Sequence, residues 1–119
     1  MVQHHSEQLD AVFHALADPT RREMLHSLTS GERSIGELAA PFQMSFAGAS
    51  KHVRVLERAG LVQRTVQGRT HRCRLAPEPL SGALDWLRHY ERFWTDRLAA
   101  LEQELRRPPS PSKRGTPHE

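Results

Sequence analysis

The sequence predicts a mainly α-helical fold that carries one small β-hairpin, and two observations predict it. Apolar residues at three- and four-residue steps, together with capping and stop residues, indicate five helices. Between the fourth and fifth of them, two short segments rich in β-branched residues flank Gln67 and Gly68. Because glycine readily supplies the positive φ of a tight turn, these segments are predicted to pair as a hairpin.

The first two helices have boundaries that the sequence marks. After a loose lead-in at residues 1–6, helical spacing begins near Glu7 and is broken before Pro19, since the residue that precedes a proline is disfavoured in a helix. A second helix is expected to begin at Pro19 or Thr20 and to end at Gly31.

The third and fourth helices are separated by a short turn. Ser34 and Glu37 have the spacing of a capping box at the start of the third helix. Ser45 is suited to cap the fourth, which is expected to run to about Ala59 and to end at Gly60. A short helix, a turn and a second helix form a helix-turn-helix, and the hairpin that follows is predicted to be its wing.

The fifth helix is predicted to be long and to mediate dimerisation. Its apolar residues keep a continuous stripe from Leu80 to Leu105, about seven turns. A small domain cannot cover such a stripe alone, so we expect an isologous homodimer made by the first and last helices. The expected interface residues are Phe13, Leu16, Trp94, Leu98 and Leu101. The predicted domain spans residues 7–106, and the proline-rich residues 107–119 are predicted to be a disordered tail.

Positive charge is concentrated in one quarter of the chain. From Ser45 to Arg74 there are seven basic side chains and one acidic, a net charge of +6 in 30 residues. The remaining residues carry ten basic and thirteen acidic side chains, a net charge of −3. Such clustering is typical of a surface that binds a polyanion, and it predicts nucleic-acid binding.

The fourth helix has two sides of different chemistry. Ala49, Val53 and Leu56 lie at i, i+4 and i+7 and predict an inward stripe. On the other side, small or polar residues precede basic ones, which suits a helix that enters the major groove of DNA. These outward residues are Ala47, Ser50, Lys51, Arg54 and Arg58. In the wing, Arg69 and Arg72 are expected to hold the DNA backbone or the minor groove.

Three segments resemble the ArsR family of bacterial winged helix-turn-helix repressors: ALADPTRREMLHSL, SIGELAAPFQMSFAGASKHVRVLERAGLV and GRTHRCRL. The resemblance extends over roughly residues 9–105 and implies a homodimer that binds a palindromic operator in double-stranded DNA. It implies that the fourth helix is the recognition helix and that Arg69 lies in the wing. By position, it also implies DNA contacts by Ser45, Ser50, Lys51, His52 and Arg54.

Three residues keep two interpretations each. Phe46 stands where relatives often have a polar residue; it either contacts DNA, for example a thymine methyl, or packs internally, and we favour contact with a base or the backbone. Arg21 and Arg22 begin the second helix, where arginine is unfavourable for the helix dipole. They bind either an external phosphate or the carboxylates of Asp18 and Glu23.

No inducer site is evident. Many ArsR relatives release DNA when they bind a metal, often through a cysteine pair in the helix before the recognition helix. Here that segment, SIGELAAPFQMS, has neither cysteine nor histidine. Asp85 and His89 are spaced i, i+4, and Glu91, Asp96 or residues of a second chain could complete a metal site with them. No second histidine follows at helical spacing, so no metal site and no cofactor are predicted. The segment WLRHYERFW resembles a branch of the family without recognised metal-site motifs. Cys73 is either a redox switch or a buried strand residue, and the strand alternation favours burial.

The other function classes are less well supported. The chain has no nucleophile elbow, phosphate loop or metal-hydrolase motif, so we expect no enzyme activity. The alternative is a winged-helix module that joins proteins without binding DNA, but the basic fourth helix argues against it. With one cysteine and without a membrane-length apolar run or a secretion signal, the protein is expected in the cytoplasm, with no membrane partner.

Overall fold

A computed structural model describes residues 2–108, with side chains from residue 7 onward. The helices are α1 (Val2–Leu16), α2 (Pro19–Ser27), α3 (Ile35–Ala39), α4 (Phe46–Arg58), α5 (Glu78–Arg88) and α6 (Glu91–Arg106). The strands are β1 (Arg33–Ser34), β2 (Val62–Gln67) and β3 (Thr70–Leu75), and short 3₁₀ turns follow α2 and α3. The chain divides into two compact units between Asp85 and Trp86. The mainly helical fold with a hairpin wing is as predicted, whereas the extent of the domain at residues 7–106 stays a prediction.

The first unit is built around one apolar core. Helices α1 to α4 and the sheet all contribute to it, and the buried set includes no polar or charged residue among the described side chains. The core residues are Val12, Ala15, Met24, Leu25, Leu28, Ile35, Leu38, Ala39, Ala49, Val53, Leu56, Ala59, Leu61, Val62, Cys73 and Ala83. This core fixes α4 and the wing to the same support.

The sheet has three antiparallel strands in the order β1-β3-β2. In β3, Cys73 lies opposite Arg33 of β1 and Arg64 of β2, so these three residues share a face. The hairpin was predicted, but β1 was not, because a strand of two residues is too short to show alternation.

Three local boundaries confirm the sequence signals. The capping box is formed in both directions between Ser34 and Glu37, with donor–acceptor distances of 2.8 and 3.1 Å. Gly60 ends the turn after α4 with φ of 80°, and Gly68 occupies the hairpin turn with φ of 62°. The expected loose lead-in is wrong, since α1 already begins at Val2. Its polar first turns have no apolar period from which a helix could be predicted.

The second unit corrects the prediction of one continuous helix. Helix α5 ends at Arg88, and α6 begins at Glu91. At the end of α5 the amides of His89 and Tyr90 donate to carbonyls three residues back, which tightens the last turn. An apolar stripe that stays in phase predicts the buried face of a helix but not the continuity of its hydrogen bonds.

Two further observations concern the C-terminal residues and the possibility of a membrane-spanning helix. Residues 109–119, most of the predicted disordered tail, lie outside the described residues. Within residues 2–108, none of the helices has the length and apolar character needed to cross a bilayer.

Candidate nucleic-acid interface

Helix α4 is held by a side-chain cap and by a fully buried inner stripe. The hydroxyl of Ser45 accepts a hydrogen bond of 3.0 Å from the amide of Gly48. Ala49, Val53 and Leu56 have no solvent exposure. At 100° per residue, the side opposite this stripe carries Ala47, Lys51, Arg54 and Arg58, which we call the outer face.

Four basic side chains of this region are exposed to solvent and have no partner among the described side chains. Lys51, Arg54 and Arg58 are exposed on the outer face, and Arg69 is exposed beside the hairpin turn. Within the side chains of residues 7–108, no hydrogen bond or ion pair engages any of the four. Their charge is therefore available to a ligand.

Another basic side chain anchors the wing to α4 instead. The guanidinium of Arg64 donates to both carboxylate oxygens of Glu57, at 2.8 and 3.3 Å. Its Nη1 also lies 3.5 Å from Nδ1 of His71 on β3. Both partners of the ion pair are largely shielded, with side-chain exposures of 21% and 28%. A bidentate pair of this kind fixes direction as well as distance.

The two arginines of β3, Arg72 and Arg74, also have partners. Arg72 donates to Glu32 at 3.3 Å, and Arg74 donates to the side-chain oxygen of Gln63. Because Glu32 partly neutralises Arg72 on an exposed surface, Arg72 offers less charge to a polyanion than Arg69 does.

Arg21 and Arg22 bind neither of the carboxylates considered from the sequence with their guanidinium groups. Arg21 donates to the carbonyls of Ala15 and His14, at 2.8 and 2.9 Å, and Arg22 donates to that of Leu16 at 2.7 Å. They thus cap the C-terminus of α1, where cations are favourable for the helix dipole.

Asp18 caps the N-terminus of α2. Its carboxylate accepts a hydrogen bond of 3.0 Å from the amide of Arg21. This backbone hydrogen bond lowers the pKa of Asp18 below its usual value. The negative charge at a helix N-terminus and the guanidinium at the preceding C-terminus together fix the junction of α1 and α2.

Two predicted contact residues lie on the flanks of α4. His52 is half-buried on the flank towards α2, and its Nδ1 lies 3.4 Å from Nη1 of Arg21. Ser50 is half-buried on the opposite flank, the same side as Glu57. The structure therefore places Ser45 at the N-cap of α4, Lys51 and Arg54 on its outer face and Ser50 on one flank, while His52 lies on the flank towards α2.

Phe46 was expected either to contact DNA or to pack internally, and its surroundings have features of both. It begins α4 and is 57% exposed, so it is not part of the core. Its ring makes an edge-to-face contact with His71 of the wing, with centroids 6.3 Å apart and planes at 72°.

Cys73 is fully buried, as the strand alternation indicated. Burial raises the pKa of its thiol, so the reactive thiolate is disfavoured. Arg72 and Arg74 lie on the other face of β3, away from the thiol. These features favour a packing role.

The described residues 7–108 contain no cluster of three metal-binding side chains. His89 lies beyond the last residue of α5, so Asp85 and His89 do not share one continuous helix as their spacing suggested.

The residues expected at a dimer interface differ in exposure. Phe13 and Leu16 are half-buried against the core of the first unit. Trp94, Leu98 and Leu101 of α6 are all at least 60% exposed, and α6 has no buried residue.

Sequence reasoning did not find Glu57, His71 and Glu32 as partners of the basic side chains. Glu57 carried one signal, since it is the single acidic residue between Ser45 and Arg74. His71 and Glu32 carried none, because their partners are set by the sheet register.

Three sequence comparisons relate this chain to known proteins. A protein-family profile described as a helix-turn-helix domain matches residues 16–65. The chain is 35% identical over 94 residues to the HTH-type transcriptional regulator Rv2034 of Mycobacterium tuberculosis, covering 79% of this chain and 85% of that protein. It is 28% identical over 82 residues to the transcriptional repressor SdpR of Bacillus subtilis, covering 69% and 91%.

The fold is similar to solved structures. A crystal structure of an ArsR family transcriptional regulator matches with a TM-score of 0.70 and 39% identity, covering 76% of this chain and 93% of that one. A solution structure of a homodimeric winged helix-turn-helix DNA-binding domain from Mycobacterium bovis matches with a TM-score of 0.57 and 29% identity, covering 73% and 82%.

Proposed function

Since the chain belongs to the ArsR family of winged helix-turn-helix transcriptional regulators, we propose that it represses transcription by binding a palindromic DNA operator as a homodimer. The observation that carries the proposal is a set of four exposed basic side chains that have no partner among the side chains of residues 7–108, namely Lys51, Arg54, Arg58 and Arg69. They lie on two different elements, the outer face of α4 and the turn of the wing. A DNA duplex presents phosphates to both when a helix lies in its groove.

The side chains divide by reach and chemistry. Arg54 follows the small residues of the first two turns of α4, and we assign it to base edges together with Ser50. Lys51, Arg58 and Ser45 are assigned to phosphates beside the groove, because phosphate contacts set the position of the helix. Arg69 is assigned to the backbone or the minor groove next to the half-site.

Contacts of four residues within the protein bear on the roles that we assign to them at the DNA. His52 is engaged by Arg21, and we assign it to positioning α4 rather than to reading bases. Arg72 is paired with Glu32 and is assigned a minor electrostatic contribution. Of the two interpretations open for Arg21 and Arg22, we do not assign them to phosphate, because their guanidinium groups cap α1.

Dimerisation is supported by the apolar side of α6. Trp94, Leu98 and Leu101 are exposed, and a helix with such a stripe loses hydrophobic free energy unless a partner covers it. The similar domain from Mycobacterium bovis is homodimeric. We propose that α6 of two protomers pack together with Phe13 and Leu16 of α1 near the axis. Light scattering should give the mass of a dimer at micromolar concentration, and a monomer would contradict this part of the proposal.

Repression is supported by the relative SdpR, which is a repressor. A twofold dimer places its recognition helices about 34 Å apart, one turn of DNA. The operator is therefore expected to be a palindrome whose half-site centres are about 10 base pairs apart.

The direct test is selection of duplexes from a random-sequence DNA pool by the purified protein. Enrichment of one palindromic sequence with the expected half-site spacing is the result that the proposal predicts. Failure to enrich any sequence, with binding that is equal for all duplexes or absent, would contradict it. Absent binding would favour the alternative of a protein-interaction module.

A further inference from the structure

We infer that Phe46 recognises a thymine in each half-site through the 5-methyl group of that base, and that His71 positions the ring for this contact. The inference rests on the proposed function, because it names the base feature that the same helix reads.

The position of Phe46 places it where bases are read. It is the first residue of α4, directly after the cap residue Ser45. The N-terminal residues of a recognition helix are the ones that contact base edges in the major groove. With 57% of its surface exposed, the ring is accessible there in the unbound protein.

The ring is also oriented by contacts that begin and end on α4. Glu57 of α4 holds Arg64 through two hydrogen bonds, and Arg64 lies 3.5 Å from His71. His71 in turn meets the ring of Phe46 edge to face. The wing therefore restricts the ring on one side and leaves more than half of the residue exposed, so less side-chain entropy is lost when a ligand covers it.

The chemistry of the ring selects the base. Phenylalanine has no hydrogen-bond donor or acceptor, so it satisfies no polar group on a base edge. Of the four bases, thymine alone presents a methyl group in the major groove, and apolar contact with that group is favourable. Guanine, adenine and cytosine would instead leave polar edge atoms desolvated against the ring.

The test uses a duplex that the protein has selected from a random pool. Each thymine is replaced in turn by deoxyuridine, which removes the methyl group and changes nothing else in the base pair. Wild-type protein should bind about fourfold more weakly for each half-site in which the contacted thymine is replaced, the effect of burying one methyl group. Positions that Phe46 does not contact should show no change.

The variants assign the effect to Phe46. Phe46→Ala should bind the thymine and deoxyuridine duplexes equally, and Phe46→Leu should retain part of the difference because it remains apolar. The matched control is Val66→Ala. Like Phe46, Val66 is an exposed apolar side chain, but it lies in the wing, opposite His71 in the sheet. It should keep the full thymine preference.

The positioning role of His71 has its own readout. His71→Ala should reduce the thymine preference while leaving the salt dependence of binding unchanged, since no phosphate contact is lost. His71→Phe restores an aromatic edge against Phe46 and should restore the preference. A preference that is unchanged in His71→Ala would overturn this role.

Each outcome bears on the inference. A selected duplex in which every deoxyuridine replacement is silent overturns it while leaving the proposed function intact. So does a Phe46→Ala variant that still distinguishes the two bases. A Phe46→Ala variant that unfolds far below the wild-type temperature would show that the ring packs internally, which also overturns it. If no duplex is selected at all, the proposed function and the inference fail together.

Discussion

The two sides of α4 differ in what their side chains contact. Ala49, Val53 and Leu56 are fully buried in the core of the first unit. Lys51 and Arg54, on the outer face, are exposed and have no partner within the side chains of residues 7–108. A helix of thirteen residues thus separates the groups that stabilise the fold from those available to a ligand. Substitutions on the two sides should therefore change different measurements.

The largest expected effect is on the inner side. Leu56→Ala removes a fully buried side chain and leaves a cavity, so the free energy of unfolding should fall by about 2–5 kcal/mol. Urea denaturation at fixed protein concentration measures it, with the exposed Val66→Ala as the control. Equal stability of the two variants would show that this side does not carry the core.

On the outer face, Arg54→Ala should weaken binding to the selected operator by about 1–3 kcal/mol and relax the preference at one base position. Its urea denaturation should match the wild type, because Arg54 is exposed and has no partner among the described side chains. Arg106→Ala removes the same charge from α6, where the side chain is paired with Glu102, and serves as the matched control. Wild-type binding by Arg54→Ala would contradict the assignment of the outer face.

The ion pair between Arg64 of the wing and Glu57 on the flank of α4 should have a smaller effect, on both stability and binding. Arg64→Ala breaks the bidentate pair with Glu57 and should lower the free energy of unfolding by about 1 kcal/mol. It should also weaken operator binding, because the wing loses one of the contacts that orient it relative to α4. Arg64→Lys keeps the charge but not the planar two-point contact, and should recover only part of both losses. Full recovery by lysine would mean that charge alone matters there.

The smallest effect is a pH dependence at the junction of α1 and α2. The pKa of Asp18 is lowered in the folded protein, mainly by the hydrogen bond from the amide of Arg21. Its contribution to stability is therefore complete above the unfolded pKa, about 4, and is lost as the pH falls through the lower folded value. Asp18→Asn keeps a capping side chain without the titration. As the pH is lowered below about 4, the unfolding temperature of this variant should fall less steeply than that of the wild type. Parallel curves of unfolding temperature against pH would contradict the assignment.

The sequence predicted most local features of the fold because each depends on neighbouring residues. The cap at Ser45, the capping box at Ser34 and the turns at Gly60 and Gly68 all require only a few residues to be read together. Strand β1 and the interruption at Tyr90 were missed, since neither a two-residue strand nor a single tightened turn alters the apolar period.

The site was predicted in outline, but the roles of its basic side chains were not. The clustering of charge identified the region, but a net charge counts Arg64 and Arg69 equally and does not show which of them is paired. Their difference arises from tertiary structure, because Glu57 reaches Arg64 across seven residues while Arg69 stands at the turn. The arginines that cap α1 were missed for the same reason, since their acceptors are backbone carbonyls on the preceding helix.

The central claim is that exposed basic side chains with no partner among the described residues carry the electrostatic contact with the operator, whereas paired ones such as Arg72 contribute little. The salt dependence of operator binding tests it most directly, since each phosphate contact adds about −0.9 to the slope of log K against log salt concentration. In a dimer, Arg69→Ala should make the slope less steep by about 1.8, and Arg72→Ala, whose side chain is paired with Glu32, should leave it nearly unchanged. Equal changes in the two variants, or no change in Arg69→Ala, would contradict the account.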